Sequence, residues 1–431
     1  MYSRSSSCPR KRSPWVITVI ALPALLWSLS AQADILPKLP KLPTLPTLPP
    51  LPKLPPLPHN LQIHGFASQS WLMSSGNNNF FGKSSSDSGS FDFRELGLNA
   101  SMRPLTRLQF SAQMLSRTAG EGSPGNVRLD YGFMDYTYFS GESSQLGIRL
   151  GRMKTPLGFY NDTRDVPFTR PSILLPQSIY FDRTRKLALA ADGVHLYGEY
   201  RSDLGDISFQ GGVVRPLVLG DEAEAAVLGG QFPGHLTPDI SYTGRVNYDL
   251  DGGRIRFAVS VSRLNISYVP GAGDVLQAGS VNFTPLIFSA QYNAERWSLT
   301  SEYALRRLQY NNFGAVPNMD FYGESYYFQG VYRFTPAWEG IVRYDVLLTD
   351  KDDPHGKKWA AARPSRSGLA DTRFAKDITV GLRWNITPEF MLRAEYHHVN
   401  GTGWLSTLDN PVLGNLDQHW NLFSILGSYR F

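Results

Sequence analysis

A single cysteine, Cys8, stands in the 431-residue chain. It lies ahead of the first apolar segment, inside what reads as a removable leader. The rest of the chain therefore has no disulfide, no cysteine-ligated zinc and no thiol nucleophile. Cys8 is also misplaced for lipid attachment, which needs a cysteine just after a cleavage site. From Leu61 to Phe431 no stretch holds ~18 consecutive apolar residues, which excludes a helical membrane span. No G-x-S-x-G, no H-E-x-x-H and no metal-spaced histidine group occurs, so neither a serine hydrolase nor a zincin is expected. His397 and His398 are adjacent on a strand, where neighbouring side chains face opposite ways. "DLDGG" (249–253) shares part of a calcium loop but reads as a hairpin turn. A repeat of ~40 residues, as a propeller requires, is absent. No enzyme, metal or cofactor is expected.

Excess charge is missing too. Lys+Arg number 42 against 37 Asp+Glu. Four of the basic residues, Arg4, Arg10, Lys11 and Arg12, precede the apolar stretch "WVITVIALPALLWSLS" (15–30). "AQA" (31–33) then forms a small-x-small cleavage site. Residues 1–33 thus have the three regions of a secretory leader. Without them the chain lies within about one charge of neutrality, which removes any case for nucleic acid.

What is present begins with "LPKLPKLPTLPTLPPLPKLPPLP" (36–58), eight copies of Leu-Pro-x. Proline at every third position excludes helix and central strand and favours polyproline II, with three residues per turn. Residues 34–60 are expected to be a periplasmic segment of this kind. Its eight leucines share one face, so it reads either as a semi-rigid spacer or as a docking element for a periplasmic partner or a second copy.

The remainder, 61–431, alternates apolar and polar residues in segments of about ten, separated by turn signals. The segments are 61–74, 91–103, 106–116, 127–140, 144–153, 192–202, 206–215, 240–250, 254–266, 281–293, 296–308, 321–334, 337–348, 375–386, 389–399 and 420–431. Seven tight turns and eight longer connections alternate between them. That is the bookkeeping of an all-β, antiparallel transmembrane barrel of about sixteen strands with both ends on the short-turn side. A sheet spanning lipid must close, because hydrocarbon offers no water to an unpaired edge. The last strand carries Phe423, Ile425, Tyr429 and Phe431 on one face. Its terminal aromatic resembles the signature that barrel-assembly machinery reads in Gram-negative outer-membrane proteins.

Parity assigns faces. In "RIRFAVSV" (254–261), Ile255, Phe257, Val259 and Val261 point outward. The same rule points Arg107, Arg149, Arg201, Arg245, Arg306, Arg343, Arg393 and Arg430 inward, with Glu95, Glu199, Asp249, Glu302, Glu339, Asp345 and Glu395. Charge facing lipid costs a few kcal/mol, so these residues imply a wet, wide lumen. Arginine outnumbers acid there, which implies a mild anion preference. Trp297, Trp338 and Trp384 sit beside short turns, as interfacial anchors do.

The longest connection, 154–191, is "KTPLGFYNDTRDVPFTRPSILLPQSIYFDRTRKLALAA". Its apolar residues argue against disorder and for folding back into the barrel. Lys154, Arg164, Arg170, Arg183, Arg185 and Lys186 face only Asp162, Asp165 and Asp182. Arg170, Arg183 and Arg185 are the stronger candidates for lining a pore. Arg164 is equally suited to an ion-pair lock with Asp162 and Asp165.

"GRMKTPLGFYNDTRDVPFTRPSILLPQSIY" resembles the corresponding segment of outer-membrane porins related to the phosphate-selective porins. The resemblance is most specific over 148–198 and extends as strand pattern through 61–431. It implies a trimeric sixteen-stranded barrel, a third loop forming the constriction, and diffusion of small solutes selected by lumen arginine and lysine. Outer-membrane lipid and lipopolysaccharide would surround it. The dense lysine cluster of the phosphate-selective members is absent, which leaves the solute open. The competing reading is a barrel that anchors the Pro-rich segment and transports little.

Overall fold

The computed structural model describes residues 60–431, apart from Leu219, Ala315 and Arg363 and the side chains of residues 184, 186, 221, 222 and 364–368. The expected leader and the Leu-Pro run lie outside the described residues.

Seventeen segments form one closed antiparallel sheet. The first seven are β1 (Leu61–Ser74), β2 (Ser90–Leu105), β3 (Leu108–Ala119), β4 (Pro124–Ser140), β5 (Ser144–Lys154), β6 (Ala190–Ser202) and β7 (Gly205–Pro216). Next come β8 (His235–Pro238), β9 (Ser241–Leu250), β10 (Ile255–Val269), β11 (Gly279–Asn293) and β12 (Trp297–Asn311). The last five are β13 (Met319–Arg333), β14 (Trp338–Leu348), β15 (Phe374–Asn385), β16 (Phe390–Asn400) and β17 (His419–Arg430). Both β8 and β9 pair with β10, and they lie end to end as one wall strand. Pro238 offers no N–H to the ladder, which explains the break. The wall is therefore sixteen-stranded, as the alternation of turns implies.

One connection is much shorter than expected. The second long connection, expected over 117–126, shrinks to 120–123, because β3 runs on to Ala119 and β4 starts at Pro124. Arg117 thereby moves from loop to wall. The turn "DLDGG" is a hairpin: Asp251, Gly252 and Gly253 all take positive φ, 50°, 62° and 84°. Two of these three residues being glycine makes that run tolerable.

Closure joins the first strand to the last. β17 pairs with β1 from Phe66↔Arg430 to Ser74↔Leu422. Beyond the strand, the Phe431 N–H donates to the Gly65 carbonyl at 3.0 Å, and the Gly65 N–H donates to the Phe431 carbonyl at 3.2 Å. Phe423, Ile425, Tyr429 and Phe431 all face outward and are exposed. A Cβ on Gly65 would lie 2.5 Å from Cζ of the Phe431 ring, so the glycine lets the terminal aromatic lie across the seam. Gly65→Val is expected to push that ring away and lower the yield of closed barrel. The fraction migrating as the compact form on unheated gels measures this, and an undiminished fraction would contradict the seam's role.

The parity assignments agree with the outer wall. Phe257, Val259 and Val261 are exposed, while Ala258 and Ser260 are buried inside. His397 is fully buried inside and its neighbour His398 exposed. Near the short turns, Trp338 and Trp384 stack at 5.1 Å, and Trp297 stacks on Tyr292 at the same distance. The expectation of a wide, wet lumen needs correction. Arg343, Arg393, Glu95, Glu302, Asp345 and Glu395 all point inward but are almost wholly buried, because the loop after β5 sits on them.

Candidate functional site

That loop, 155–189, leaves β5 and returns as β6. Its neck is tied by Asn161, whose side-chain N–H groups donate to the carbonyls of Thr155 (2.7 Å), Ala188 (3.2 Å) and Leu189 (3.2 Å). Only single turns of regular structure follow: Pro167–Thr169, Asp182–Thr184 and the short helix Arg185–Leu189. Irregular backbone inside a barrel needs partners for its N–H and C=O groups. The wall supplies them with charged side chains.

Wall carboxylates take the loop's N–H groups. Glu302 of β12 accepts from the Phe159 N–H at 2.9 Å, from the Tyr180 hydroxyl at 2.7 Å, and from the wall's own Tyr327 and Ser289 hydroxyls. Gly158 beside it donates to Ser260 Oγ at 3.0 Å. Gly158 has φ 55°, and a Cβ there would lie 2.4 Å from the Tyr180 hydroxyl. Asp345 of β14 accepts from the Ser178 N–H at 3.3 Å. Glu395 of β16 accepts from the N–H groups of Ile173 and Leu174.

Wall arginines take the carbonyls. Arg343 donates to Leu174 O at 3.1 Å and to Ser172 Oγ at 2.9 Å. Arg393 donates to Ser172 O at 3.0 Å and to Arg170 O at 2.5 Å. The loop's apolar residues then close over the wall. Phe168, Ile173 and Leu174 pack with Leu422 and Leu426 of β17, Trp404 and the Phe80–Phe81 pair of the first long loop.

Further round the wall, past β1, the loop meets β2 to β4 through ion pairs. Arg170 binds Glu95 at 2.8 Å, and Arg117 bridges Glu95 at 3.4 Å to Asp182 at 2.9 Å. Arg164 reaches Asp182 at 3.5 Å and donates to Tyr180 O at 2.9 Å. Asp165 pairs with both Lys154 and Arg185, and Lys154 also binds Asp130 at 2.7 Å. A lock does exist around "NDTRD", with partners other than those the spacing suggests. Arg164 turns to Asp182, and Asp162 turns to Arg245 of β9, at 2.5 Å. Burial and the neighbouring cations hold Arg164 below the usual guanidinium range, and Arg185 well below it, against the opposing pull of the acids.

The expected site residues thus separate. Arg164, Arg170 and Arg185 are buried in ion pairs. Arg183 shares a cavity with Arg306 and makes no ion pair with a described residue. Lys186 belongs to the short helix, and its side chain lies outside the described residues. Arg149 pairs with Asp135 at 2.8 Å beneath the Tyr197 ring, and Arg201 pairs with Glu199 at 2.6 Å. Arg149 and Arg245 border an open space of about 810 Å³ inside β3 to β9, together with Arg103, Arg107, Asp135 and Glu199. Arg103 and Arg107 donate to Gln109 Oε1 (2.7 Å) and to the Tyr138 carbonyl (3.5 Å) and make no ion pair with a described residue. Arg103 and Arg117 were absent from the sequence-based candidates. Their signal was inward parity near strand ends, where boundaries are least legible.

A scan against protein-family models finds no match, and a search of curated proteins finds none either. Among solved structures, the chain is similar to the outer-membrane protein OmpT of Vibrio cholerae (10% identity, TM-score 0.52, 86% of this chain and 97% of that one). An anion-selective porin from Comamonas acidovorans matches at 12% identity and TM-score 0.51, over 86% and 99%. Salmonella typhi OmpF in complex with daunomycin matches at 14% and 0.52, over 86% and 97%. At such identities the likeness is one of fold: a closed sixteen-stranded barrel of the kind outer-membrane channels have.

Proposed function

We propose that the chain is an outer-membrane channel for passive diffusion of small hydrophilic solutes, with a mild preference for anions. The observation that carries this is the space inside β3 to β9, which the loop leaves open and into which Arg103 and Arg107 project without carboxylate partners. Arg149 and Arg245 share it but are largely neutralised by Asp135 and Asp162. In this reading Arg164, Arg170 and Arg185 shape the constriction and Arg103 and Arg107 set the selectivity. Residues 1–33 direct export and are removed. Residues 34–60 lie in the periplasm, and the barrel assembles through its terminal aromatic strand into trimers among lipid and lipopolysaccharide.

Planar-bilayer recording tests it. Wild type is expected to conduct and to give a reversal potential of anion sign in a KCl gradient. Arg103→Gln/Arg107→Gln is expected to bring that potential close to zero with conductance within about twofold. Cation preference in wild type, or an unmoved potential in the double variant, would overturn the assignment. The second reading, a barrel anchoring the Pro-rich segment, draws on how completely the loop is pinned. Reconstituted protein that passes no current would favour it.

A further inference from the structure

Beside the last part of the third loop, toward the long-loop ends of the strands, a cavity of about 100 Å³ opens between Phe181–Leu187, the helix Asp221–Leu228 and the wall strands β11 to β14. Its walls are apolar, with Phe181, Phe283 and Phe321 among them. The Tyr310 hydroxyl donates to the Val227 carbonyl at 2.6 Å and fastens the helix over one side. Two guanidinium groups enter, those of Arg183 and Arg306. Neither makes an ion pair with any described residue, and Nε of each is buried without a hydrogen-bond partner. Arg306 spends one N–H on the Leu348 carbonyl at 3.2 Å, and Arg183 lies over the Phe181 ring at 4.9 Å. A third arginine, Arg373, stacks on the other face of the lining, over Phe321 at 5.9 Å.

The half-buried guanidinium groups of Arg183 and Arg306, with no counter-charge among the described residues, are costly in this mostly apolar space, because burial removes part of their water and proximity adds repulsion. Arg183 bears both effects: burial, and then Arg373, lower its pKa to about 10. A bound anion would relieve each. The enclosure also selects the anion's body. Inorganic oxyanions bring nothing to three phenyl rings, whereas an apolar group gains by leaving water. A dry apolar cavity of ~150 Å³ holds a benzene molecule, so this smaller space takes a body below one ring, a short alkyl chain. Arginine's planar donor fork matches a carboxylate.

We propose that this cavity is a binding site for a small organic carboxylate, with the carboxylate on Arg183 and Arg306 and a short alkyl body against Phe181, Phe283 and Phe321. The site is distinct from the selectivity residues Arg103 and Arg107 and does not depend on the chain's conducting ions.

Calorimetric titration of the full chain in detergent with butyrate tests it, with protein-free detergent as blank. Saturable binding at one site is expected, weakened at least tenfold by Arg183→Gln or Arg306→Gln. Butan-1-ol, which keeps the alkyl chain, and sulfate, which keeps the charge, are expected to bind at least tenfold more weakly than butyrate. Equal binding of butyrate to wild type and to both variants would overturn the site. Equal binding of butan-1-ol or sulfate to wild type would overturn the ligand class without any variant. Arg183 is in the loop, so its variant leaves the wall intact, and gel migration before heating verifies that both variants are folded. Absent butyrate binding with anion selectivity retained sinks this proposal alone. Binding retained without current sinks only the channel reading.

Discussion

Glu302→Ala is expected to raise single-channel conductance severalfold and to make the current noisy. Glu302 holds the descending arm of the loop to the wall. It accepts the Phe159 N–H and the Tyr180 hydroxyl, while Tyr327 and Ser289 keep the carboxylate itself in place. Gly158 and Phe159 stand four and five residues beyond the β5 end at Lys154, so releasing them frees the arm at its base. A buried donor deprived of its acceptor costs ~1–3 kcal/mol. Water admitted to the lumen recovers part of that, and it enters only where the loop moves away. The variant therefore has to choose between unsatisfied donors and a displaced loop, and displacement widens the passage. Closure of the wall does not run through Glu302, since β11, β12 and β13 pair along their whole length by backbone bonds. Compact migration on unheated gels is expected to persist. Conductance unchanged in Glu302→Ala would mean that the contacts at Glu395, Arg343 and Arg393 hold the loop alone. Glu302→Gln, which keeps an acceptor at the same place, is expected to lie between alanine and wild type.

Strand positions were legible from sequence because each wall strand meets a different solvent on either face, and period 2 records that directly. Val259 outside and Ser260 inside need no knowledge of the rest of the chain. The same rule names the inward charges, including Glu302, Glu395 and Arg393. What it omits is the object they face. Parity cannot distinguish an inward arginine in water from one bonded to a loop carbonyl, so Arg343 and Arg393 read as lumen charge and are found holding Leu174 and Ser172. The loop's own arginines carry the same ambiguity. Composition showed six cations against three acids there and suggested free positive charge. Glu95 and Asp130, on wall strands outside the loop, supply much of the balance. Arg183 and Arg306 are the reverse case. One is a loop residue and the other a wall residue, and only the fold puts them in one cavity.

Glu95→Gln is expected to be the most destabilising single replacement near the loop. Glu95 is fully buried and shared by Arg117 and Arg170, themselves buried. Breaking a buried pair by removing one partner costs ~3–5 kcal/mol, because the remaining charge has neither water nor counter-ion. The glutamine retains shape and one acceptor, so the loss measures charge more than volume. Arg117 keeps Asp182 at 2.9 Å, which leaves Arg170 as the orphan. Removing it as well is therefore expected to recover much of the loss: Glu95→Gln/Arg170→Met should unfold in urea at a midpoint well above that of Glu95→Gln. Independent sites add to within ~0.5 kcal/mol, and coupling beyond that is expected here. Additive losses would show that Arg170 does not depend on Glu95, and that Arg393, whose guanidinium donates to the Arg170 carbonyl, positions this part of the loop. Strong coupling would instead make the Glu95–Arg170 pair the far anchor of a loop whose near anchor is Glu302. The constriction would then be held at two points on opposite walls, and releasing either one would widen it from a different side.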